Sequence, residues 1–275
     1  MDYKTVMVGL ALDRPNDACL RVAGDIAERF GARVIGVAAS DLRAPMYFAE
    51  GDFAQKLLAE EAAAIQKRLS ELEAEFRAAV EKRATSVEWR SARALPVPYM
   101  LQQARAADII VVGARAETMV DPGAAPDPSD LVMQAGRPLI VVPSAVQWLD
   151  LRSVLVAWKD VREARRAVFD ALPILAAAKE VTIAEIPEQN THRADAVSRV
   201  ADVAAWLRGH GIAAHTTVPE KPVGVSEELE KIAANVGAGA VIAGAYGHSR
   251  FREWVLSGVT RHLATESRRC AFLSR

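Results

Sequence analysis

The segment from 244 to 260, GAYGHSRFREWVLSGVT, has the residue types of a phosphate-binding loop. It follows the apolar run 240–243 and precedes the helical stretch 261–264. Where a glycine-containing turn leaves a buried strand and enters a helix, backbone N–H groups and the positive end of the helix dipole converge. The segment matches neither a Walker A loop nor a GxGxxG turn. The sequence therefore predicts an anion site here, with a turn that only connects strand to helix as the alternative.

Local charge favours an anion in this segment. Arg250, Arg252 and Arg261 outnumber Glu253, and His248 can add positive charge. Each arginine taken singly is also typical of a solvated helix face, so the charge supports the glycine pattern but does not replace it.

The corresponding segment of the first half, 114–130, has the opposite character. It keeps one glycine as Gly113, but Ala116 stands where the second glycine would be. Carboxylates and prolines dominate it, so a phosphate would meet negative charge and missing N–H groups. These residues are Glu117, Asp121, Asp127 and Asp130, set against the single cation Arg115, with Pro122, Pro126 and Pro128. The first half is therefore not expected to hold a nucleotide at this loop.

Composition limits the class of protein. A chain of 275 residues is long enough for two domains, and its net charge of −1 gives no electrostatic reason to bind nucleic acid or an anionic membrane. Its two cysteines are too few and too distant for a disulfide framework or a zinc site. No signal segment and no membrane-length apolar run is found, so we expect a cytoplasmic protein without nucleic-acid or membrane partners.

The chain repeats itself once, and we expect domains at 1–148 and 149–275. The run 4–10 has the β character of 152–158, and 108–114 corresponds to 239–245. Strands are predicted at 4–10, 33–39, 86–92, 108–113, 138–142, 152–158, 180–186, 212–218, 239–244 and 270–274. Helices are predicted at 16–30, 52–83, 96–106, 129–135, 161–178, 193–209, 225–236 and 252–266. The pattern predicts an α/β protein with two tandem five-stranded, mostly parallel sheets and helices on both faces.

The long helix predicted at 52–83 carries one apolar face. Its members are Leu58, Ile65, Leu69, Leu72 and Phe76. Such a stripe normally covers a sheet. The alternative is that the tip near 44–48 forms a flap or a surface for a partner chain.

Two motifs resemble the universal stress protein family. The loop 244–260 is similar to its Gly-x2-Gly-x9-Gly-Ser/Thr ATP-binding loop, except that Ser257 and Gly258 stand where the family has Gly and Ser or Thr. The run 156–164, VAWKDVREA, resembles the family's Val-Ala-Trp-Asp-Gly-Ser-Arg-Glu-Ala opening, with Lys159 in place of the adenosine-binding aspartate. The resemblance spans the chain as a tandem pair.

The resemblance implies an adenine nucleotide alpha hydrolase-like fold and ATP as the candidate cofactor, in the second half alone. The implied contacts are Gly244, Gly247, His248, Ser257, Gly258, Val259 and Thr260 for the phosphates, and Trp158, Asp160 and Ile186 for the adenosine. Because Lys159 can only donate hydrogen bonds, we expect weaker binding than with the intact motif. Family dimers imply an internal pseudo-dimer, with strands 139–142 and 271–273 near the interface, and a homodimer of the whole chain stays open.

No catalytic constellation can be assembled from the sequence. The histidines at 192, 210, 215, 248 and 262 show no metal-binding spacing. The resemblance implies a regulatory or protective binding role in stress response. A slow ATPase and a protein–protein interaction module that binds no nucleotide are the alternatives.

Overall fold

The computed structural model describes residues 2–41, 52–114, 123–187, 192–220, 222, 224–245, 258–265 and 267–275. Within them the chain alternates strands and helices as predicted. The strands are β1 Thr5–Leu10, β2 Arg33–Ala39, β3 Val87–Ala92, β4 Ile109–Gly113, β5 Leu139–Val142, β6 Ser153–Trp158, β7 Glu180–Glu185, β8 His215–Thr217, β9 Ala240–Gly244 and β10 Cys270–Ser274.

The helices also lie close to their predicted positions. They are α1 Asp17–Phe30, α2 Asp52–Val80, α3 Pro96–Gln103, α4 Pro128–Gln134, α5 Arg162–Asp170, α6 Leu172–Ala177, α7 Arg193–Gly209, α8 Val225–Asn235 and α9 Gly258–Thr265, and a 3-10 turn Ala104–Ala106 follows α3. The single helix predicted at 161–178 is wrong, because α5 ends before Pro173, which has no N–H for a continuous helix. Of the helix predicted at 252–266, the part before Gly258 lies outside the described residues.

All ten strands form one sheet, in the order β3-β2-β1-β4-β5-β10-β9-β6-β7-β8. The predicted two sheets are thus joined edge to edge. Neighbouring strands are parallel except β5 and β10, which pair antiparallel with Phe272 opposite Ile140. Read outward from that junction, both halves have the same strand order. The predicted position of the last strands at the interface is confirmed.

Helices cover both faces of the sheet, as the continuous apolar strands require. One core lies under α1, α2, α5, α6 and α7, and the other lies under α3, α4, α8 and α9. The C-terminal part of α2 packs on the sheet through Leu69, Leu72 and Phe76, all buried. Leu58 and Ile65 are half-buried, and the tip near 44–48 lies outside the described residues.

Hydrogen bonds reinforce the junction between the halves. The Tyr3 hydroxyl, in the first half, donates to the Asp170 carbonyl oxygen of the second half at 2.7 Å. The Leu149 N–H donates to the Asp25 carboxylate at 2.6 Å. Tyr3 and Asp25 of the first half thus bind Asp170 and Leu149 of the second half, which holds the two halves together.

Candidate functional site

A cavity of about 590 Å³ lies at the carboxyl ends of β6 and β9. The strand order reverses between these two strands, since β7 lies beyond β6 and β10 lies beyond β9. In open parallel sheets, ligands bind in the crevice at this switch point. The cavity thus occupies the edge of the sheet where this architecture binds ligands.

Seven of the ten residues singled out from the sequence line this cavity. They are Trp158, Asp160, Ile186, Gly244, Gly258, Val259 and Thr260. They come from the ends of β6, β7 and β9 and from the first turn of α9. The other three, Gly247, His248 and Ser257, lie outside the described residues.

Two of the lining glycines have different physical reasons to be glycine. A Cβ at Gly244 would lie 2.5 Å from the backbone nitrogen of Ala164, at the start of α5. Among the described residues, a Cβ at Gly258 would meet nothing closer than the Ser226 Oγ at 3.7 Å. Gly244 therefore lets α5 pack against β9. At Gly258, neither the contacts with described residues nor a positive φ requires a glycine.

The first turn of α9 supplies backbone donors. Gly258, Val259 and Thr260 open this helix, and the first four N–H groups of a helix have no partner within it. These groups and the helix dipole favour an anion beside them. The turn can therefore bind phosphate through its backbone.

The two side chains expected near the base border the cavity from opposite faces of the sheet. Trp158 belongs to the core under α5 and α7, and Ile186 belongs to the core under α8 and α9. Both are 8% exposed. They therefore form two apolar walls, one on each side of the sheet's edge. They do not lie on the same side of the sheet, where they could hold a base between them.

Charged groups of both signs line the cavity. Asp160 pairs with Arg165 of α5, and Lys159 is half-buried beside it. The Glu185 carboxylate, at the end of β7, accepts hydrogen bonds from Arg199 of α7, with Nε at 3.0 Å. That hydrogen bond raises the pKa of Arg199 above its usual value. Among the described residues that line the cavity, Lys159 and Arg199 balance Asp160 and Glu185.

Sequence reasoning missed Glu185, Arg199 and Ser226, all of which line the cavity. Glu185 had a usable signal, because an acidic residue that ends an apolar strand lies at the edge where parallel sheets bind ligands. Ser226 follows Gly224 at the start of α8, which is a weaker signal. Arg199 lies in the middle of a helix, and only the packing of α7 brings it to the site.

In the first half, residues 123–126 lie at the sheet edge that corresponds to this cavity. The Leu12 N–H, just beyond β1, donates to the Ala124 carbonyl oxygen at 2.8 Å, between β4 and α4. Ala124 and Ala125 are 7% and 4% exposed. This segment therefore crosses the switch point between β1 and β4, where the second half has its cavity.

The described part of the chain contains neither a metal-binding cluster nor a membrane-spanning helix. There, no group of three histidine, cysteine or acidic residues could hold a metal ion. No described helix is long and apolar enough to cross a membrane.

The fold and the cavity define the doubly wound class of α/β proteins, which bind ligands at a switch point. The model of the universal stress protein family matches residues 2–143, about half of the sequence. The chain therefore belongs to the universal stress protein family. No curated protein matches the sequence.

Two solved structures show the same fold over almost the whole chain. A universal stress protein from Archaeoglobus fulgidus is similar with a TM-score of 0.68 and 16% identity, over 98% of each chain. A functionally unknown protein from Pseudomonas aeruginosa is similar with a TM-score of 0.60 and 12% identity, over 99% of this chain and 92% of that one. These likenesses show the fold alone.

Proposed function

We propose that this universal stress protein binds an adenine nucleotide, ATP, in the cavity between β6 and β9. The observation that carries the proposal is the convergence of Trp158, Asp160, Ile186, Gly244 and Gly258, from four separate elements, on one cavity at the switch point. These residues were selected from the sequence for nucleotide contacts. Their meeting at one cavity supports that role.

In the proposal the phosphates lie against the first turn of α9. Gly258 leaves room for a phosphate, and the N–H groups that follow it donate to phosphate oxygens. The Ser226 hydroxyl lies beside Gly258 in the cavity lining and is an additional donor. Gly247, His248 and Ser257 complete the phosphate contacts in this proposal.

The adenosine lies towards Trp158 and Ile186, whose apolar walls suit a base. Lys159 replaces the family's carboxylate, so a ribose hydroxyl needs another acceptor. Asp160 and Glu185 are the carboxylates that line this cavity. Because Arg165 and Arg199 already occupy them, we expect ribose recognition and overall affinity to be weaker than with the intact motif.

Nucleotide binding is confined to the second half in this proposal. Segment 123–126 crosses the switch point of the first half, and its backbone oxygen takes the hydrogen bond of Leu12. We divide the chain accordingly into two universal stress domains, 1–148 and 149–275, of which the second binds ligand.

The expected role is regulatory or protective binding in the stress response. We assign the protein to the cytoplasm, where the buried thiols of Cys19 and Cys270 stay reduced. A slow ATPase is the competing function, and phosphate release over a protein-free control would favour it. A pure interaction module would bind no nucleotide.

Isothermal titration calorimetry of ATP into the wild type and Gly258→Leu tests the proposal. A leucine at 258 would fill the proposed phosphate position, so binding should weaken at least about tenfold, or about 1.4 kcal/mol. Gly209→Leu is the control, since a Cβ there meets no described residue within 4 Å and Gly209 lies outside the cavity. Undetectable binding by the wild type, or equal binding by Gly258→Leu, would contradict the proposal.

A further inference from the structure

A second cavity, of about 410 Å³, lies on the surface between α5 and α7. We call it the α5–α7 groove. Its walls are largely apolar and include Phe169 and Trp206, which are 47% and 42% exposed. Large aromatic side chains left this open in one concave surface are typical of a binding site rather than of a core.

An unpartnered donor marks the inner wall of the groove. Trp158 lines it, is 8% exposed, and its indole N–H has no hydrogen-bond partner among the described residues. A buried donor without an acceptor costs free energy, and native structures usually satisfy such groups. This is an observation independent of the exposed rings, and it also points to a missing ligand.

The charged groups of the groove indicate the sign of the ligand. Asp160 and Asp202 line it together with one cation, Arg165. Arg165 is neutralised by its ion pair with Asp160, and Asp202 is exposed. The lining therefore has one negative charge in excess, and the faces of aromatic rings also attract cations.

We propose that the α5–α7 groove binds a small organic cation with an aromatic ring. The ring contacts the side chains of Phe169, Val203 and Trp206, and one of its π faces is turned towards the N–H of Trp158. The ammonium group lies towards Asp202. This site is distinct from the nucleotide cavity, although Trp158 and Asp160 border both.

The test uses phenethylamine as the cationic probe and 3-phenylpropionate as an anion of similar size. Indole N–H resonances are followed by NMR during each titration, and that of Trp158 is assigned by its loss in Trp158→Phe. Phenethylamine should shift the Trp158 and Trp206 resonances to saturation at millimolar concentrations. The anion should bind at least about tenfold more weakly, because it meets the excess negative charge.

Three variants locate the probe. Trp206→Ala should weaken phenethylamine binding about tenfold or more, whereas Val197→Ala, an exposed apolar residue on the same helix, should leave it unchanged. Ser226→Trp, which fills the nucleotide cavity instead, should also leave it unchanged. The proposal is overturned if the wild type does not bind, if both probes bind equally, if Trp206→Ala binds normally, or if Ser226→Trp abolishes binding.

Discussion

The N–H of Leu12 donates a 2.8 Å hydrogen bond to the carbonyl oxygen of Ala124, across the point where the first half would open its ligand crevice. In the second half the equivalent edge carries a cavity of about 590 Å³. Two halves with the same strand order therefore differ at the edge that binds ligands. In the first half, the residues that cross this edge, 123–126, follow β4 in the chain and do not belong to the sheet.

This asymmetry predicts one nucleotide per chain. Calorimetric titration with ATP should give a stoichiometry of about one, because segment 123–126 fills the first crevice and its proline, Pro126, has no N–H to donate. The control is the Gly258→Leu variant, in which any remaining binding would have to come from the first half. A stoichiometry of two, or residual tight binding by that variant, would show that the first crevice opens.

Gly244→Ala should destabilise the protein by roughly 1–3 kcal/mol, or more, because the new Cβ would meet the Ala164 backbone at 2.5 Å. Gly113→Ala is the matched control at the equivalent position of the first half. There the nearest atom is the Cys19 Sγ at 3.5 Å, an ordinary contact. Urea unfolding measures both, and equal effects of the two substitutions would refute the close packing of α5 on β9.

The sequence predicted nearly every element of the fold, because most strands are apolar runs bounded by turns and most helices carry one apolar face. Local patterns carry that information. The edge strands β3 and β8 are more polar and more exposed. The family resemblance predicted that the last strands lie near the interface, but not that they pair and join the two sheets into one, since nothing in Leu139–Val142 alone specifies an antiparallel partner. The break before Pro173 could have been read from the proline.

The sequence predicted those residues of the candidate site that are glycines or that lie at the ends of strands. Gly244 and Gly258 were selected by one argument, yet the first is required for helix packing and the second is not. That distinction depends on the approach of α5, which is a tertiary contact. The same is true of Arg199, which reaches the cavity only because α7 packs over Glu185.

The antiparallel junction should be a main determinant of stability. Phe272 is 2% exposed and lies opposite Ile140, so Phe272→Ala should cost roughly 3–5 kcal/mol. Val197→Ala, at a 41% exposed site, should change stability by less than about 0.5 kcal/mol. Urea titrations followed by circular dichroism and tryptophan fluorescence measure this. A Phe272→Ala midpoint equal to that of the wild type would contradict the junction's role.

The two cysteines should be unreactive in the native protein. Burial raises the pKa of the Cys19 and Cys270 thiols to about 12, so almost no thiolate forms at pH 8. Alkylation by iodoacetamide at pH 8 should be slow, and it should become fast in denaturing urea. Rapid labelling of the native protein would show that these side chains are not buried.

The same shift predicts a loss of stability in alkali. Unfolded thiols lose protons near pH 9, whereas the folded thiols keep them until about pH 12. Protons are then bound more tightly in the native state, so stability falls as the pH rises from about 9 towards 12. The double variant Cys19→Ala, Cys270→Ala should show a smaller fall over that range. An unchanged pH dependence would mean that the thiols do not contribute.

Photolabelling with 8-azido-ATP, followed by peptide mapping, tests the central claim most directly. An adenine nucleotide in the cavity between β6 and β9 should label peptides that contain Trp158 or Ile186, and excess ATP should suppress the labelling. Labelling in Gly258→Leu should fall with its affinity. Label placed instead on the first half near Leu12 or Gly113, or label that ATP does not displace, would contradict a nucleotide site in the second half.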